Sequence, residues 1–175
     1  DWVPTLIAAA GGDANIRETI KTKGVNAAGR NFKVCLDGYN QLPLLTGKVK
    51  DGEGPRKSFF YFSDEGEFLG MRYDRMKFMY AIQEAKGLDV WKMPWKKLRV
   101  PLAVDLRMDP FEEAFDNGTM YYEDWSYQRS FLLVPAQVLA SEFFETFRAF
   151  PPRQEPATFN LDQVIEDLNN ANSSH

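Results

Sequence analysis

A chain of 175 residues with 44% hydrophobic, 14% aromatic and 26% charged residues is long enough to enclose a core of its own. A net charge of −4 and a pI near 5.1 argue against a nucleic-acid binder, which needs a basic stripe. No apolar run approaches the roughly 18–20 residues that span a bilayer, so neither a nucleic acid nor a membrane is an expected partner.

Residues 1–12 read as a helix. Val3, Leu6, Ile7 and Ala10 form one apolar stripe, Asp1 stands where a cap belongs, and Pro4 is tolerated in a first turn. Gly11-Gly12 ends it. Residues 13–30 are polar, with a short helix around 16–20, and residues 31–36 alternate as a strand would. Leu42-Pro-Leu-Leu45 is an apolar anchor in a long loop. Residues 58–63 and 67–73 are aromatic-rich runs joined by Asp64-Glu-Gly66, a hairpin signal. Asp74-Arg75 makes a second tight turn before a strand at 76–82. Residues 83–102, with Trp91, Pro94, Trp95 and Pro101, read as an extended loop, followed by a short strand near 103–106.

The cover for this meander is legible as well. Tyr122, Trp125, Arg129 and Leu132, then Ala136, Leu139, Phe143, Phe147 and Phe150, recur at gaps of three and four. Gln137, Ser141, Glu145 and Arg148 take the opposite face. Pro135 divides two helices and belongs in the first turn of the second, and Pro151-Pro152 stops it. A last helix starts at the capping Asn160, with Leu161, Val164, Ile165 and Leu168 as its buried face. The expected fold is α+β: a small antiparallel sheet of about four strands covered by C-terminal helices.

Six phrases stand out in order. They are Asp1-Trp-Val-Pro-Thr-Leu-Ile-Ala-Ala-Ala-Gly11, Leu36-Asp-Gly-Tyr-Asn-Gln-Leu-Pro-Leu-Leu-Thr-Gly47 and Arg56-Lys-Ser-Phe-Phe-Tyr-Phe62. Then come Met71-Arg-Tyr-Asp-Arg-Met-Lys77, Asp105-Leu-Arg-Met-Asp-Pro-Phe-Glu-Glu113 and Phe131-Leu-Leu-Val-Pro-Ala-Gln137. The set resembles the C-terminal third of bacterial arylsulfatases, the type I sulfatases of the alkaline-phosphatase-like superfamily. The resemblance implies that residues 1–55 are the end of a large α/β domain, a helix plus a long loop. It makes residues 56–175 the small C-terminal subdomain. The partner it implies is a missing N-terminal catalytic domain, and the parent's substrate a sulfate ester. The parent's cofactors would be calcium and a formylglycine residue, and its location periplasmic or secreted. The chain opens on Asp1 with no basic-then-apolar leader, as a processed piece would, and leaves that location unread.

The chemistry of such enzymes starts at a Cys or Ser followed by any residue, Pro or Ala, any residue, and Arg. Cys35 is followed by Leu-Asp-Gly-Tyr and Ser63 by Asp-Glu-Gly-Glu, and no other serine here fits. The only cysteine, Cys35, excludes an internal disulfide and reads as a small buried apolar residue. The only histidine, His175, is the last residue, so no Ser-His, Cys-His or multi-histidine zinc site can be assembled. No catalytic residue and no metal ligand is therefore expected in this chain, which should be inactive alone.

Other polar groups have plain readings. Asp64 and Glu65 belong to a solvated turn. Lys92, Lys96, Lys97 and Arg99 form a charged loop, with an anion-steering patch as the minority reading. Asp109 can satisfy free amides at the turn that Pro110 fixes. Tyr39, Trp91 and Trp95 are the candidates for a substrate rim. Two functions of different class follow: a non-catalytic sulfatase portion that completes the fold, or an autonomous glycan- or protein-binding module using exposed aromatics. Residues 1–50, lacking the sheet they were shaped for, are expected to drive self-association.

Overall fold

The computed structural model describes residues 1–117 and 120–151. At its centre, aromatic and apolar alternation builds β3 (Ser58–Phe62), β4 (Phe68–Tyr73) and β5 (Met76–Ile82), which pair antiparallel with β6 (Lys96–Asp105) in the order β3-β4-β5-β6. The register sets Phe60 beside Met71, Met71 beside Phe78, and Phe78 beside Ala103, one row across all four strands. Met71, Phe78 and Ala103 are buried. The alternate row, Phe59, Arg72, Lys77 and Val104, points to the other face, since successive residues of a strand do.

Helix α4 (Met120–Gln128), the 3-10 turn Ser130–Leu132 and α5 (Leu133–Ala149) follow, and α5 covers the buried row. Ala136 and Ala140 are its buried contacts; small residues there let the helix axis come close. Phe143 stacks on Phe60 with ring centroids 4.0 Å apart and planes 11° off parallel. Gln137, Ser141, Glu145 and Arg148 are exposed, and Pro135 is the third residue of α5, both as the spacing predicts. The α+β architecture is thus the expected one.

Before the sheet lie α1 (Trp2–Ala9), α2 (Ile16–Thr22), the two-stranded hairpin of β1 (Val25–Ala27) and β2 (Arg30–Phe32), and α3 (Leu42–Leu45). The strand expected at 31–36 is shorter and starts earlier, as half of this hairpin. Its turn, Ala28-Gly29, has positive φ at both residues, which Asn-Gly would have announced and Ala-Gly does not. The apolar anchor at 42–45 is a short helix rather than loop. Cys35 is half-buried, not buried.

The loop expected at 83–102 is the larger correction. Gly87–Trp91 is a 3-10 turn, and β6 runs from Lys96, far ahead of the predicted 103. Pro101 concealed the strand. Between Met79–Leu102 and Ala81–Lys97 the pairing skips Tyr80 on one side and residues 98–101 on the other, so Pro101 sits in a bulge where no amide is required. The expected helix from Asn160, with Leu161, Val164, Ile165 and Leu168, lies outside the described residues, as does Pro152.

Candidate functional site

Thr5 faces inward from α1 and is buried. Its hydroxyl donates to the Asp1 carbonyl (2.7 Å) and accepts from the Gln41 amide (2.9 Å), which ties α1 to the segment before α3. The Asp1 carboxylate makes no capping bond to α1, contrary to expectation. It instead accepts from the Tyr39 amide (2.7 Å), Gln41 Nε2 (3.0 Å), and Arg56 Nε and Nη2 (2.7 and 2.5 Å). Arg56 also donates to the Asp37 and Ser58 carbonyls, at 2.8 and 3.1 Å. One guanidinium thus holds the N-terminal segment to the first residue of the sheet. A bidentate, half-shielded pair of this kind is stronger than an exposed one.

Tyr39 is clamped beside it. The Arg17 guanidinium lies 4.2 Å from its ring centroid and that of Arg56 5.0 Å. Around this joint, on the sheet face away from α5, opens a cleft of about 770 Å³ lined by Asp1, Trp2, Gln41, Arg56, Phe59 and Arg72 among others. Lys57 Nζ donates to the Gly52 carbonyl (2.9 Å) and Arg72 Nε to that of Asp74 (2.7 Å). The lining sets Arg56, Lys57 and Arg72 against Asp1, Asp51 and Asp74, so the cleft offers aromatic and hydrogen-bonding walls with no excess of either charge.

Trp91 and Trp95 lie elsewhere. Trp91 is 81% exposed on its 3-10 turn, and Trp95 is half-buried just beyond it. Gln83 Nε2 steadies this turn by donating to the Met93 carbonyl (3.0 Å). Strand pairing sets Ser58, Tyr73, Met76 and Asp105 at one end of the sheet and Ile82 with Lys96 at the other. Tyr39 belongs to the first end and the tryptophans to the second. The rim of Tyr39, Trp91 and Trp95 expected from the sequence is therefore not one site.

A smaller hollow of about 260 Å³ lies between β6 and α4, lined by Val104, Asp105, Asp109, Tyr122 and Trp125 among others. Asp105 is buried and faces Arg75 Nε at 3.3 Å. The Asp109 carboxylate accepts from the Glu113 and Ala114 amides (3.2 and 2.9 Å), the structural role expected of it. The Tyr122 hydroxyl donates to the Ala103 carbonyl (3.1 Å), and burial pushes its phenol above the ordinary value.

Neither hollow brings a nucleophile to a base. Calcium and formylglycine find no seat in these residues: Cys35 lacks the maturation motif, and the carboxylates of Asp1, Asp105 and Asp109 are taken by guanidinium or amide groups. The lysines of the basic island pair with carboxylates, Lys92 with Asp89, Lys96 with Glu84 and Lys97 with Glu67, as a solvated surface does. The Asp1–Arg56 joint was missed from the sequence because its partners stand 55 residues apart, beyond any periodic signal. No protein-family model matches this chain, and no curated protein matches it.

Proposed function

We propose that this chain is the C-terminal, non-catalytic portion of an arylsulfatase-like sulfuric ester hydrolase, completing a fold whose catalytic domain lies outside it. The observation that carries the reading is the pairing of two features. The six phrases stand in the order of such enzymes, and they fall on the joints of this structure: Asp1 with Arg56, the turn at Asp74, and the bends at Asp105 and Asp109. A four-stranded antiparallel sheet under a helix is what the resemblance implies for such a tail. Support also comes from the N-terminal segment, where Trp2, Val3, Leu6 and Leu45 are 69%, 59%, 60% and 64% exposed. Apolar residues clustered in this way fit a face made to lie against a larger domain.

The coding sequence upstream of Asp1 provides the test. A reading frame continuous with this chain should carry the Cys- or Ser-initiated maturation motif, and its full product should hydrolyse an aryl sulfate. Replacing the first residue of that motif with Ala should abolish turnover. A frame without the motif would overturn the reading and favour a binding module.

A further inference from the structure

Among the described residues, the hollow between β6 and α4 is walled by aromatic rings and carboxylates, and by no lysine, arginine or histidine. Tyr122 and Trp125, one turn apart on α4, place their ring centroids 6.1 Å apart with planes 25° from parallel. The bond from the Tyr122 hydroxyl to the Ala103 carbonyl fixes that ring against β6. Tyr121 lines the same space and is 88% exposed, which puts it at the open side. Asp105 and Asp109 supply the wall where the chain leaves β6. Arg129, whose guanidinium lies 4.6 Å from the Trp125 ring centroid, stands outside this lining.

The oxygens of both carboxylates are occupied. Asp105 Oδ1 accepts from the Arg107 amide (3.1 Å) and Oδ2 faces Arg75, while both Asp109 oxygens accept from amides. Occupied oxygens bar a metal ion, which must take their lone pairs directly. They do not bar a cation without N–H groups, which needs only the field. Amides carry no net charge, so Asp109 keeps its own in full. Arg75 offsets Asp105 from a side chain that is 55% exposed to water. The Tyr122 phenol registers this field: burial raises it most, and the negative charges of Glu123 and Asp109 raise it further.

An anion finds no positive wall here. A neutral apolar guest would strip water from carboxylates and replace it with nothing. A guest with an apolar surface and a positive charge meets each wall with its complement, methyls on ring faces and charge on carboxylates. At about 260 Å³ the hollow falls below the roughly 300 Å³ of sites for drug-sized ligands, and suits a headgroup. We propose that it binds an alkylated ammonium group, with Tyr121, Tyr122 and Trp125 as ring walls and Asp109 and Asp105 as counter-charge. The site uses nothing of the N-terminal segment and stands apart from the reading of the chain as a sulfatase tail.

Calorimetric titration of the full chain with tetramethylammonium chloride, at constant ionic strength, tests this against tert-butanol, a neutral guest of similar shape. The cation should bind saturably and about tenfold or more tightly than the alcohol. Tyr121→Ala, at an exposed position, should weaken the cation about two- to fivefold. Asp109→Asn keeps an acceptor oxygen but removes the charge, and should weaken it about threefold or more. Trp91→Ala, at the other end of the sheet, should leave binding unchanged. Absence of saturable binding would overturn the proposal, as would equal affinity for cation and alcohol. So would binding that neither Tyr121→Ala nor Asp109→Asn weakens, or that Trp91→Ala removes.

Discussion

A methyl group on Gly70 would sit 2.6 Å from the Phe78 carbonyl oxygen in the neighbouring strand, nearer than two such atoms can stand. Gly70→Ala should therefore push β4 from β5 and cost about 1–3 kcal/mol, read as a lower urea midpoint. An unchanged midpoint would mean that the two strands yield without loss. Buried phenols provide a second test at this scale. Burial raises both Tyr80 and Tyr122 above the ordinary value of 10.0. Each holds its proton more tightly folded than unfolded, so its stabilising contribution is full below that ordinary value and is lost as pH rises through the raised one. Ultraviolet titration should show Tyr80 and Tyr122 in a late phase, and Tyr122→Phe should shrink that phase. If Tyr122→Phe leaves the late phase intact, the assignment is wrong.

At the scale of elements, α5 stabilises the sheet through one face only. Phe143 is stacked on Phe60 yet half-buried, so Phe143→Ala should cost about 2–3 kcal/mol, less than the roughly 3–5 of a fully buried ring. Gln137→Ala, on the exposed face, should change stability by no more than about 0.5 kcal/mol. Equal losses in denaturant melts would mean the helix lies rotated. The β1–β2 turn is open to improvement: Ala28 adopts φ 46°, which a Cβ disfavours, and Ala28→Asn should raise the melting midpoint by relieving about 1 kcal/mol of strain. Where elements obey a period or carry a turn residue with its own mechanism, they were legible. The three aromatic strands, Gly66 and the three-and-four gaps of α5 show this. Where the turn used Ala28, or Pro101 stood inside a strand, the local text argued against the structure that tertiary pairing imposes. The candidate site was less legible still. Tyr39 was singled out for its ring, but its surroundings come from Arg17 and Arg56, which only the folded chain brings together.

For the whole molecule the Asp1–Arg56 joint ties the N-terminal segment to the start of the sheet. Arg56→Gln should release α1 and the segment around Tyr39, so their amides exchange faster with solvent while β3–β6 stay protected. Uniform loss of protection would show that the N-terminal segment is integral to the sheet's stability. The bulge at Pro101 has a different reach. β6 is an edge strand, and an edge with a free row of amides invites a neighbouring chain to zip on and start a fibre. Here the row is broken where the ring nitrogen of Pro101 has no proton to give. A strand arriving from another molecule would lose its register within a few residues. The proline that conceals β6 in the sequence thus also makes its edge a poorer template for a strand from another copy of the chain.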